Sequence, residues 1–251
     1  MIEKLLAGND NLRVKDRALF VASQSRTPKG RELITNVAKG STNPDLKMSA
    51  IKYLGRMSGP ESLQALDEVY RGTSDQSVKR TILRSFMEAR AKDRLLSVAK
   101  SETNAELRGE AVQQLGAMRA GAELEELYRN ESSVEVKKRI LQALFVANAT
   151  DKLGPIARTE KDPELRRTAI HQLGISNRSD AAETLVAIYN SDASLETRKA
   201  VIEALGMHRN ATALINLARA EKNTELKTDM VRRLSTMRSQ EARDYMLELL
   251  K

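Results

Sequence analysis

The sequence contains no cysteine and no tryptophan. The missing cysteines exclude disulfides, thiolate metal sites and a cysteine nucleophile. Aromatic residues make up only 3% of the 251 positions, fewer than a compact globule of this length ordinarily buries. Histidine occurs twice, whereas a metal site needs three or four converging donors. No uninterrupted apolar run reaches the length of about 18 residues that a membrane-spanning helix requires. There is no glycine-rich phosphate loop, no low-complexity tract and no proline-rich linker. Residues 1–8 are too short and too polar for a signal peptide. A cytoplasmic location is therefore expected, or a periplasmic one for a chain whose signal has been removed. No cofactor is expected.

Charge is plentiful. Forty-two Lys and Arg stand against 34 Asp and Glu, for a formal net charge of +8. Such a surplus attracts phosphates, acidic proteins or anionic surfaces, and it also suits a well-solvated helical wall.

The dominant pattern is a repeat. Asn11, Asn43, Asp75, Asn104, Ser133, Asp162, Ser194 and Asn223 recur at spacings of 32, 32, 29, 29, 29, 32 and 29 residues. Each is a residue type that caps a helix start by accepting a backbone N–H. Three residues after each cap stands Val14, Leu46, Val78, Leu107, Val136, Leu165, Thr197 or Leu226, of which only Thr197 is polar. The next residue is always basic: Lys15, Lys47, Lys79, Arg108, Lys137, Arg166, Arg198 or Lys227. Eleven residues after the cap stand Ala22, Leu54, Phe86, Leu115, Leu144, Leu173, Leu205 and Leu234. The acids two after the cap, Asp45, Glu106, Glu135, Glu164, Glu196 and Glu225, suit the positive end of a helix dipole and are read as helix starters.

A second apolar helix precedes each cap at a fixed offset, so the three-residue length differences fall after the capped helix. The pattern predicts helix pairs: a stub at 2–8 with 12–24, then 28–39 with 44–57, 60–71 with 76–88, and 91–101 with 105–117. These are followed by 120–130 with 134–147, 150–159 with 163–175, 179–190 with 195–207, 210–220 with 224–237, and a lone helix at 239–250. Five residues before the caps, large and small alternate: Leu6, Ala38, Tyr70, Ala99, Tyr128, Ala157, Tyr189, Ala218. A ring beside a small neighbour fills a layer without a void, so these tyrosines are read as core. Hairpins repeated in this way stack into a solenoid.

At these columns the chain resembles the HEAT-like repeats, also seen in phycobilin lyases. The family's short form carries Val-Arg or Leu-Arg near the start of its capped helix and Ala-Leu-Gly near its end. Here these are Leu107-Arg108 with Leu115-Gly116, Leu165-Arg166 with Leu173-Gly174, and Arg198 with Ala204-Leu205-Gly206, while Leu46-Lys47 with Leu54-Gly55 is a lysine version. The resemblance implies an all-α, right-handed α-solenoid (an α-α superhelix) of about eight helix pairs with a C-terminal capping helix. It covers 1–251 as a single array. It also implies that the capped helices line the concave face, and that the basic column bonds to polar residues at repeat starts. Because the caps mix Asn and Ser with Asp, a full row of carboxylate partners is not expected, and some basic charge is left free.

Enzymes of this superfamily fit poorly. Its deoxyhypusine hydroxylases hold iron with His-Glu pairs, but His171 is followed by Gln172 and His208 by Arg209. Its alkylpurine DNA glycosylases surround a nucleotide with aromatics, and here the tyrosines mostly sit in the packing column. The chain is thus expected to be a non-catalytic interaction scaffold, monomeric, holding an acidic or extended protein partner on its concave face. The alternative is binding of a nucleic-acid backbone through a basic strip on that face. Taken five, six and nine residues after the caps, the strip comprises Lys52, Arg80, Arg84, Lys138, Arg139, Arg167, His171, Lys199 and Arg232. Its acids are Asp16, Glu110, Glu203 and Asp229. Phe20 and Val21 leave the N-terminal end apolar, and the expectation is that the chain is part of a longer protein, this end docking onto preceding structure or a partner.

Overall fold

In a computed structural model of the chain, residues 2–8, 11–25, 27–57 and 59–250 are described. Every described regular element is helical. All eight predicted caps hold. In unit-like succession α1 (Ile2–Ala7) and α2 (Leu12–Ser25), α3 (Pro28–Gly40) and α4 (Pro44–Met57), α5 (Pro60–Gly72) and α6 (Gln76–Glu88), and α7 (Lys92–Ser101) and α8 (Ala105–Ala117) form four hairpins. Further along come α9 (Gly121–Asn130) with α10 (Val134–Val146), then α11 (Leu153–Thr159) with α12 (Pro163–Gly174). The last hairpins are α13 (Ala181–Ser191) with α14 (Leu195–Met207) and α15 (Ala211–Ala220) with α16 (Thr224–Thr236), followed by α17 (Gln240–Glu248). The chain divides into two compact units, Met1–Met118 and Arg119–Lys251. Each is a stretch of all-α solenoid.

The caps work as their chemistry requires. The Asp162 carboxylate accepts the N–H groups of Glu164 and Leu165 at 2.9 and 3.0 Å. Asn104 does the same for Glu106 and Leu107, and Asn223 for Glu225 and Leu226. Each satisfies donors that have no partner inside the helix. Pro44 and Pro163 open α4 and α12, at a position where no N–H is needed.

The column eleven after the cap is the spine of each core. Leu54, Phe86 and Leu115 in the first unit and Leu144 and Leu205 in the second have no exposed surface. The column three after the cap is buried from Leu46 onward, while Val14 is 42% exposed. The tyrosine column is buried as expected: Tyr70, Tyr128 and Tyr189 retain 8%, 6% and 4% of their surface.

The variable spacing has a local cause. Where caps lie 29 residues apart, the chain leaves the capped helix through one residue in the left-handed region: Arg90, Arg119, Asn148 and Arg209, with φ of 55°, 59°, 58° and 56°. Each stands fifteen residues after its cap. The three longer repeats place their extra residues at this turn instead, because stacked helices cannot absorb them.

Candidate functional site

Two surfaces of the repeat carry its polar chemistry: the edge where each hairpin loop meets the next, and the face of the capped helices.

At the edge, the basic column four after the cap reaches forward to the next repeat. Lys79 pairs with Glu102 at 2.9 Å in the first unit. In the second, Lys137 reaches Glu160 at 3.8 Å, Arg166 reaches Asp192 at 3.1 Å, and Arg198 reaches Glu221 at 3.7 Å. The partners stand two residues before the caps, not at them. A carboxylate row is therefore present for four rungs, two residues before the caps. Thr197, the polar exception in its column, is 4% exposed and accepts from the Arg166 guanidinium at 3.2 Å.

The tyrosines close these rungs. Tyr70 donates its hydroxyl to Glu102 at 2.8 Å, Tyr128 to Glu160 at 2.6 Å, and Tyr189 to Glu221. Lys79, Lys137 and Arg198 lie over the same three rings at 4.7, 4.9 and 5.0 Å from the centroids. Each glutamate also accepts a backbone N–H of the loop, from Asn104, Asp162 or Asn223. Burial raises the Glu102 carboxyl, but the Lys79 ammonium, the Asn104 N–H and the Tyr70 hydroxyl outweigh it and bring the group down to about 2. Burial pushes the Tyr70 and Tyr128 hydroxyls up, and the facing glutamates push them further. These groups are saturated with partners and hold the repeats in register.

The predicted strip lies on the other surface, and its residues are placed unequally. In the first unit Lys52 on α4 and Arg84 on α6 are exposed and have no partner among the described residues, while Arg80 faces Glu110 at 3.5 Å. In the second unit Lys138 pairs with Glu164, and Lys199 with Glu225, each bridging successive capped helices. Arg167 reaches Glu203 at 3.6 Å, Arg139 its own helix's Glu135 at 3.5 Å, and Arg232 Asp229 at 3.4 Å. His171 is exposed on α12. His208 ends α14, with its Nδ1 3.0 Å from the Ser176 carbonyl. Six of the nine strip residues thus meet an acid within the fold, and three of those acids, Glu135, Glu164 and Glu225, are helix starters with a second role.

The sequence reading missed an aromatic pair on the same face of the first unit. Phe20 and Tyr53, both half-buried, meet edge to face at 6.2 Å, and the Arg17 guanidinium covers Phe20 at 4.7 Å. Burial raises the Tyr53 hydroxyl, and Asp16 raises it further. Val21 beside it is 47% exposed. The signal was available: Phe20 and Lys52 share one register, nine after the cap, with Tyr53 next.

No helix among the described residues is long and apolar enough to cross a membrane. Comparison with curated proteins finds no match. Among solved structures the chain is similar to human deoxyhypusine hydroxylase in complex with glycerol: 17% identity over 89% of this chain and 88% of that one, TM-score 0.42. It is also similar to the complex of CpcE and CpcF of phycocyanin lyase from Nostoc sp. PCC7120, at 14% identity over 94% and 93%, TM-score 0.41. A hydroxylase and a lyase among the similar structures correct the expectation of a non-catalytic chain: this architecture does not by itself exclude an enzyme. A family model described as HEAT repeats matches residues 1–87 and 150–225, which hold six of the eight caps, and the chain belongs to that family.

Proposed function

We propose that the chain binds a protein partner, an acidic or extended segment, on the faces of its capped helices. The observation that carries this reading is in the first unit. There Lys52 and Arg84 stand exposed, without a partner among the described residues, close in register to the half-buried Phe20–Tyr53 pair. An aromatic surface beside uncommitted cations offers a partner both apolar area and charge complementarity. The second unit offers Lys138, Arg139, Arg167, His171, Lys199 and Arg232 on the matching face, largely paired with acids, as a mixed-charge wall that a partner's own charges can exchange with.

Nucleic-acid binding is the weaker reading. A phosphate backbone is held by several free cations at once, and six of the nine strip residues already have acids beside them.

The test is capture of host proteins on the full chain, followed by affinity measurement with the recovered partner. The variant K52E/R84E is expected to weaken binding by roughly tenfold or more, and Tyr53→Ala by a similar factor. Unchanged affinity in both variants overturns the assignment.

A further inference from the structure

Near the C-terminal end of the second unit, a cavity of about 500 Å³ opens between the turn after α14 and the turn after α16. Its walls carry Arg209, Arg233 and Arg238, with Thr236 and Ser239, and no acidic residue. None of the three arginines has an ion-pair partner among the described residues. An adjoining groove shares Arg233 and Thr236 with the cavity and carries the acids Glu196, Glu203 and Asp229. There Glu203 is engaged by Arg167 and Asp229 by Arg232.

The backbone builds this cluster. Gly206 leaves room for Arg233: a Cβ added at 206 would stand 3.0 Å from the Arg233 Cδ and 3.4 Å from its Nη1. The Arg233 side chain therefore lies against the end of α14. Arg209 leaves that helix in the left-handed region, with φ of 56°. Ser239 caps α17 by accepting the Ala242 N–H at 3.2 Å, so the positive end of a nine-residue helix borders the same space. Glu241 in that first turn is drawn to its own backbone N–H and to the Ser239 hydroxyl, which lower its carboxyl; it makes no ion pair with the three arginines.

Three guanidiniums around one cavity repel one another, and a bound anion relieves that repulsion. Each presents planar N–H donors that fit an oxyanion in pairs. Three positive charges exceed what one carboxylate can neutralise, while the Thr236 hydroxyl already donates to the Arg233 carbonyl at 2.8 Å. We infer that this cavity is an oxyanion site for a phosphate dianion, either free phosphate or a phosphomonoester. The site is independent of the capped-helix reading above, and loss of either leaves the other standing.

The experiment is calorimetric titration of the full chain with inorganic phosphate, at an ionic strength held constant with chloride. Saturable one-to-one binding is expected. R209Q/R238Q should weaken it by roughly tenfold or more, while R209K/R238K, which keeps charge but loses the planar fork, should weaken it less. Arg13→Gln removes the same kind of exposed charge from the other unit, outside both proposed sites, and should leave the affinity unchanged. A second arm titrates a neutral peptide carrying one phosphoserine. Tighter binding of the peptide assigns a protein-borne phosphate, and equal or weaker binding assigns free phosphate. Absence of saturation in both arms overturns the site, as does equal weakening by Arg13→Gln and R209Q/R238Q. Melting curves of each variant separate loss of binding from loss of fold.

Discussion

Tyr128 donates its hydroxyl to Glu160 at 2.6 Å across 32 residues of sequence. The bond joins the first helix of one hairpin to the loop of the next, and Lys137 lies over the same ring. Replacing Tyr128 with Phe keeps the ring and the cation above it but removes one donor from a half-buried carboxylate. A hydrogen bond to a charged group is worth somewhat more than a neutral one. Tyr128→Phe is expected to lower stability by about 1–2 kcal/mol, read as the shift in urea midpoint of the second unit. Glu160 keeps Lys137 and two loop N–H groups, so the loss stays below that of a fully orphaned charge. A midpoint equal to that of the wild type would show the bond to be idle.

The first unit should be acid-sensitive through Glu102. Its carboxyl sits at about 2 in the fold against an ordinary 4.5. A group depressed by folding contributes stability that is complete above the unfolded value and disappears as pH falls through the folded one. Unfolding midpoints of the first unit should therefore drop between about pH 5 and pH 2. Glu102→Gln should be less stable than the wild type at neutral pH and should flatten this part of the profile. Parallel profiles for the two proteins would mean that Glu102 is not the group titrating.

How much of this was legible beforehand depended on the distance over which the chemistry acts. Asp162 and Asn104 could be read as caps because a cap bonds to residues two and three positions on. Leu54 and Phe86 could be read as core because one register places them on one helical face. The tyrosines fall in the core for the same reason. Their hydroxyls were not assigned, because Tyr128 and Glu160 meet only through stacking. Yet the constant offset of 32 residues from Tyr70, Tyr128 and Tyr189 to Glu102, Glu160 and Glu221 was in the sequence all along. On the capped face, exposure was legible and neutralisation was not. Lys138 stands five residues after its cap and Arg84 nine after its own, one turn further on, and only Lys138 finds an acid on the following capped helix. The left-handed turns at Arg90, Arg119 and Arg209 gave no signal, since arginine is not a residue that favours that conformation.

Those turns carry the next expectation. Arg90 is exposed, holds φ at 55° and has no side-chain partner among the described residues. A non-glycine residue there is strained relative to glycine. Arg90→Gly should stabilise the first unit by about 0.5–1 kcal/mol, strain relief outweighing the greater freedom glycine gains on unfolding. A denaturation midpoint that falls would mean that the arginine side chain contributes more at the end of α6 than its conformation costs.

Neighbouring repeats approach closely at several glycines, and two of them separate backbone contact from side-chain contact. A Cβ at Gly174 would stand 2.7 Å from the Ala204 Cα and 2.9 Å from its carbonyl oxygen. At Gly121 the only close atom is the Ala149 Cβ at 2.5 Å, with its Cα at 3.9 Å. Both Gly174→Ala and Gly121→Ala should destabilise the second unit, by about 1–3 kcal/mol each, because a packed interior yields little to an added methyl. Their rescue should differ. Ala149→Gly removes the one obstructing atom and should restore most of the loss at 121. Ala204→Gly leaves the α14 backbone in place and should restore little at 174. Equal rescue at both sites would mean that α12 and α14 can separate under strain, and that the close backbone approach seen here is not a fixed feature of the stack.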